Sequence, residues 1–149
     1  MRVLKVFLAV MALMLLALPA SAGDVCVSVD NRLLVDMGAS DCNAQSASVA
    51  VAVNGSIAFS EAGTGNTSIA VNGSSAIASD GDDGLAVAAN GSSAGTGGND
   101  NFALAVNTST AATNFPGDGN SIIAVNSSED FSTNEFDQRR ITIHGVLRP

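Results

Sequence analysis

Five times along the chain an alternating apolar run meets an asparagine and then breaks into small polar residues: Val53-Asn54-Gly55-Ser56, Val71-Asn72-Gly73-Ser74, Ala89-Asn90-Gly91-Ser92, Val106-Asn107-Thr108-Ser109 and Val125-Asn126-Ser127-Ser128. The asparagines lie 18, 18, 17 and 19 residues apart, a near-constant period that marks stacked coils rather than one globular core. Within each copy the pattern repeats every second residue, as in a strand with two unlike faces. Three residues before the asparagine stand Val51, Ile69, Val87, Leu104 and Ile123, and one before it Val53, Val71, Ala89, Val106 and Val125. Between them the residue is alanine every time: Ala52, Ala70, Ala88, Ala105 and Ala124. Large aliphatic side chains are the usual filling of an interior. The expectation is therefore an aliphatic inside and an outer alanine strip for flat packing against another surface.

A second, weaker strand follows each turn, and the chain then reverses through segments such as Gly63-Thr64-Gly65-Asn66, Asp80-Gly81-Asp82-Asp83-Gly84 and Gly117-Asp118-Gly119-Asn120, which are turn chemistry. Two strands and two turns in each repeat predict an all-β chain, a parallel β-roll or β-solenoid of about five coils over residues 46–133. One coil cannot stand alone, because ordering it costs roughly 1–2 kcal/mol per residue against ~1.5–3 kcal/mol for each buried aliphatic side chain. Stacked at ~4.8 Å, equivalent residues form columns. Asn54, Asn72, Asn90, Asn107 and Asn126 can then pass amide hydrogen bonds from coil to coil, as stacked asparagines do in cross-β assemblies. Each also lies in an N-x-[ST] glycosylation sequon, as does Asn66; the ladder accounts for five of the six and is the reading adopted.

The flanks differ in kind. Arg2 and Lys5 precede an apolar run from Val6 to Leu18, then Pro19 and Ala20-Ser21-Ala22, the make-up of a cleavable secretory signal over residues 1–22. Nothing after it approaches the ~20 apolar residues of a membrane span. The expected destination is the extracellular space or the periplasm. Residues 23–45 read as an N-terminal cap and 134–149 as a C-terminal one. Two cysteines in an exported chain allow one internal pairing, Cys26 with Cys42.

Signal removal leaves Arg32, Arg139, Arg140 and Arg148 against 14 acidic residues, a balance of −10. No lysine or arginine lies between Gln45 and Asp130, so the middle of the chain offers no counter-charges for phosphates and nucleic acid is not expected as a partner. Asp82, Asp100 and Asp118 are 18 and 18 apart, and in a regular roll would stack three carboxylates on one turn edge, oxygen ligands of the kind calcium takes. The stretch Gly95-Thr96-Gly97-Gly98-Asn99-Asp100-Asn101-Phe102 is similar to one calcium-binding nonapeptide of the RTX β-roll. Calcium is the one cofactor considered. Serine is abundant because the repeat uses it, the single histidine, His144, is terminal, and the absence of Trp and Tyr denies a sugar-binding platform; the chain reads as no enzyme.

The phrase from Ser68 to Gly81, Ser-Ile-Ala-Val-Asn-Gly-Ser-Ser-Ala-Ile-Ala-Ser-Asp-Gly, resembles the head repeat of trimeric autotransporter adhesins of the YadA type. The likeness covers residues 46–130, the repeat region alone, without the family's coiled-coil stalk or membrane anchor. It implies an adhesive head that trimerises by packing rolls side by side. The functional expectation is a secreted, non-enzymatic structural or interaction protein, adhesin-like, whose partner is another copy or an extracellular protein or surface. The competing reading is a calcium-responsive extracellular binding module.

Overall fold

An asparagine followed by glycine can place two successive residues in the left-handed region at low cost, and the first three repeats use this: Asn72 and Gly73 have φ of 58° and 67°, Asn90 and Gly91 59° and 69°, while Asn107-Thr108 and Asn126-Ser127 hold the same conformation without glycine. Such a pair reverses the chain in two residues, so the strand after it lies beneath the strand before it, in a second sheet. Ser56 closes its turn by donating to Val53 O at 2.6 Å, and Ser74 does the same to Val71 O at 2.7 Å. The computed structural model describes residues 24–113, 118–127, 129–132 and 139–143.

The strands are β1 (Val25–Val29), β2 (Arg32–Met37), β3 (Asp41–Ala44), β4 (Val49–Val53), β5 (Ile57–Ser60), β6 (Thr67–Val71), β7 (Ser75–Ser79), β8 (Leu85–Ala89), β9 (Ser93–Gly97), β10 (Phe102–Val106), β11 (Thr110–Thr113), β12 (Ser121–Val125), β13 (Glu129–Ser132) and β14 (Arg139–Ile143). They form an all-β solenoid of two sheets, ordered β14-β12-β10-β8-β6-β4-β1-β2 and β13-β11-β9-β7-β5-β3. From β4 to β14 every neighbouring pair in the first sheet is parallel and in register, so Ile69, Val87, Leu104 and Ile123 share one column and Ala70, Ala88, Ala105 and Ala124 the next. At the N-terminal end β1 runs antiparallel to both β4 and β2, with a turn at Asp30 and Asn31 and an irregularity between Val27 and Ser28. A reversed, bulged strand end is one way a sheet edge is blunted against unwanted pairing.

The two faces are the reverse of the sequence expectation. Ala52, Ala70, Ala88, Ala105 and Ala124 are each 0% exposed and form the core with Ala58, Ala76, Ala94 and Ala111 of the second sheet. The aliphatic set faces outward. The outer alanine strip is thereby corrected: those five residues are the interior. The physical reason is thickness. Cys26 on β1 and Cys42 on β3 belong to opposite sheets, occupy the inward register, and are joined by a disulfide with their Cα atoms 5.7 Å apart. Facing sheets packed through larger side chains sit ~10 Å apart. Further along, Ser68 Oγ on β6 donates to Phe59 O at 2.6 Å and receives the Ala78 N–H at 3.0 Å, both in the second sheet. A side chain of two heavy atoms spans the gap, and valine would not fit it. The last coil departs from this rule: Ile122, fully buried, and Asp130, 6% exposed, stand at inward registers where the coils before them carry alanine or, at Ser68, serine.

Candidate functional site

The asparagine edge forms as a continuous ladder. Asn54 Nδ2 donates to Asn72 Oδ1 at 2.8 Å, Asn72 to Asn90 at 2.9 Å, Asn90 to Asn107 at 3.0 Å and Asn107 to Asn126 at 2.9 Å. The turn backbone is laddered as well, Gly73 N to Asn54 O and Gly91 N to Asn72 O at 3.0 Å each. Behind it Ser56, Ser74, Ser92 and Ser109 make a buried column, the hydroxyls of the first three each receiving the N–H of the next serine at 3.2–3.3 Å. Every side chain in these two columns is committed to the stack, which makes the edge a structural spine.

At the opposite edge the column consists of Thr64, Asp82, Asn99 and Asp118. Thr64 N donates to Asp82 Oδ1 at 2.7 Å, Asp82 N to Asn99 Oδ1 at 2.9 Å, and Asn99 N to Asp118 Oδ1 at 2.8 Å. The sequence trio of Asp82, Asp100 and Asp118 is thus not one column: Asn99 takes the middle place, and Asp100 meets Asp82 only through its backbone N–H, 2.9 Å from Asp82 O. The Thr64 backbone N–H, and after it the Thr64 hydroxyl at 2.9 Å, hold the Asp82 carboxyl below the ordinary aspartate range. These carboxylates serve as acceptors for backbone donors of the coil before them. Among the described residues no three His, Cys, Asp or Glu side chains gather in a metal-holding group. The depression beside them, lined by Ala62, Gly63, Asp80, Gly81, Asp82 and Asn99, is open to solvent. The coils approach so closely there that a Cβ on Gly81 would stand 2.2 Å from Gly98 O.

A further buried column was not anticipated: Ser48, Asn66, Gly84, Asn101 and Asn120, each just before a strand of the first sheet. Asn66 N donates to Ser48 Oγ at 3.2 Å, Gly84 N to Asn66 Oδ1 at 2.8 Å and Asn120 N to Asn101 Oδ1 at 2.7 Å. Asn66 and Asn101 also donate across the coil to Gly81 O and Gly97 O. Asn66 is 1% exposed, so its sequon is sealed inside the fold. The signal was available, because these positions follow the spacing of the outer asparagines: 18, 18, 17 and 19.

No protein family, curated protein or solved structure matches the chain. Function must be read from the surface itself.

What remains uncommitted to the stack is the outward face of the eight-stranded sheet. Outward positions from β1 through β12 carry no charged residue, and polar side chains enter only at Thr67 and Ser121. Ile69, Val87, Leu104, Ile123, Val106 and Val125 are partly exposed, and Ile141 and Ile143 on β14 are 68% and 64% exposed. Val49, Val51 and Val53 on β4 are buried within the same face, with Val25, Val27, Val29 and Ile69 packed around them. The other sheet differs: its outward positions mix Asp41, Asn43, Ser75, Ser79 and Ser93 with Ile57 and Ile77. Thus the eight-stranded sheet is the more uniformly apolar side, although Ile57, Phe59 and Ile77 put an apolar cluster on the other sheet as well. The outward face of the eight-stranded sheet is built by the residues assigned to the core rather than by alanine.

Proposed function

We propose that the chain is an exported, non-enzymatic structural and interaction module, adhesin-like in that a rigid roll presents one flat apolar face to what it binds. The observation that supports this is the outward row of branched aliphatic side chains. An alanine interior satisfies the fold without them, so their size contributes little to the inside of the roll. Contiguous exposed apolar patches mark interaction surfaces on soluble proteins. Export is supported by the signal-like residues 1–22, the disulfide, which persists in oxidising compartments, and the lack, among the described residues, of a helix long and apolar enough to cross a membrane. The calcium reading is not carried forward, because its three aspartates do not converge.

The reading is tested with the mature chain immobilised in oxidising medium and offered its own culture fluid. Leu104→Glu combined with Ile123→Glu should abolish retention of any macromolecule, a second copy included. Ile57→Glu combined with Ile77→Glu, on the other sheet, should leave retention intact. Equal retention by both variants contradicts the proposal.

A further inference from the structure

We infer that the occupant of the apolar face is a second copy of this chain, the two eight-stranded sheets packing face to face about a two-fold axis; this rests on the reading of that face as a docking surface. Three observations carry it. The first is charge: the mature chain carries a balance of −10, yet Asp80, Asp82, Asp83 and Asp100 lie exposed along a turn edge. Two copies can therefore close over their apolar faces while the like charges stay at the periphery, in solvent. A lipid surface fits less well, since interfacial binding draws on several Lys and Arg and on Trp around an apolar face, whereas the chain has no Trp and the outward register of this sheet reaches a cation only at its two ends, Arg32 on β2 and Arg139 on β14.

The second is area. Seven strands, β1 to β14, at ~4.8 Å spacing and five residues of ~3.3 Å each make a face of roughly 30 by 16 Å. That is about 500 Å² per copy and about 1,000 Å² for the pair, the threshold a biological interface has to clear and below the ~1,200 Å² at which the stable class begins, so the dimer should be a reversible one. The third is shape. Parallel in-register columns make long ridges of Ile69, Val87, Leu104 and Ile123 beside Val106 and Val125. Two copies of one ridged, nearly flat sheet can interleave as the sheets of a sandwich do, ~10 Å apart, and a patch that meets itself about a two-fold axis is isologous and closes at two copies.

Sedimentation equilibrium of the oxidised mature chain should give twice the monomer mass, and Leu104→Glu with Ile123→Glu should return it to the monomer mass with an unchanged strand-type circular dichroism spectrum. A wild-type dimer that survives this pair of changes overturns the inference. Should the variant fail to fold, mixed samples of isotope-labelled and unlabelled wild type decide the matter. Intermolecular methyl contacts confined to this face support the proposal, and their absence overturns it. A wild-type monomer that adsorbs through this face to an alkyl-coated surface or to neutral phosphatidylcholine vesicles overturns the second copy but leaves the docking surface standing. A monomer that adsorbs to neither overturns both.

Discussion

Ala88 and Val87 are neighbours on β8 that face opposite ways, and exchanging their sizes gives a sharp prediction. Ala88 is 0% exposed, flanked in register by Ala70 and Ala105, which are 0% exposed too. Ala88→Val adds two methyl groups to a gap that a serine side chain already spans. Overpacking a core typically costs about 1–3 kcal/mol, and here the upper end applies, because both sheets are pinned by ladders at each turn and cannot move apart locally. Val87→Ala removes two methyl groups from a partly exposed face. At ~0.8 kcal/mol per fully buried methylene, about half realised, the loss is about 1 kcal/mol. Equilibrium urea unfolding followed by circular dichroism measures both. With a slope of ~1–3 kcal/mol per molar urea, Ala88→Val should lower the midpoint by about 1 M or more, and Val87→Ala by clearly less. An arrangement with alanine outside demands the opposite order: Ala88→Val neutral or stabilising, Val87→Ala costing several kcal/mol as buried truncations do. That order would refute the thin interior.

Four other outcomes follow from the same geometry. Asn90→Ala breaks the bonds to Asn72 and Asn107 and puts alanine at φ 59°; it should cost about 2 kcal/mol in urea unfolding, at ~1 kcal/mol or less per exposed bond plus the left-handed penalty. Thr108 holds φ 57° where the earlier coils have glycine, so Thr108→Gly should stabilise by about 1 kcal/mol, offset in part by its lost bond to Ser127 Oγ at 2.9 Å; a melting temperature that falls counts against the strain argument. The depressed Asp82 carboxyl contributes its stabilisation above the ordinary value of 3.8 and loses it as pH falls through the lower folded value; an NMR titration should place the Asp82 midpoint below that of a free aspartate, with Thr64→Val moving it part of the way back. Reducing the Cys26–Cys42 bridge opens a loop of 16 residues and should cost roughly 3 kcal/mol, with hydrogen exchange quickening first in β1 and β2.

Much of the fold was open to reading. The repeat of Asn54, Asn72, Asn90, Asn107 and Asn126 announced stacked coils, period-two alternation announced strands, and two cysteines allowed one pairing. The faces were misassigned because hydrophobicity was allowed to outweigh invariance. Ala52, Ala70, Ala88, Ala105 and Ala124 never vary, whereas their neighbours run through Val, Ile and Leu. A space that admits one size only is a confined space, and a surface that takes any aliphatic is an open one. The misplacing of Asp100 has a similar origin. The coil between Asn90 and Asn107 is 17 residues rather than 18, and carrying that shortening through the acidic turn lands on Asn99. The buried Asn66, Asn101 and Asn120 column was hidden by Gly84, which interrupts the residue type while its N–H continues the bonding. How far the sheets stand apart depends on the two tight turns acting together, and no single repeat displays that.

The claim on which the account depends is that alanine, not the larger aliphatic residues, fills the roll. Solvent paramagnetic relaxation of methyl groups in the mature wild-type chain tests it without any substitution. The methyls of Ala70, Ala88, Ala105 and Ala124 should keep their full intensity in the presence of a soluble paramagnetic agent. Strong attenuation of those four, with the Val87 and Leu104 methyls protected, would contradict it.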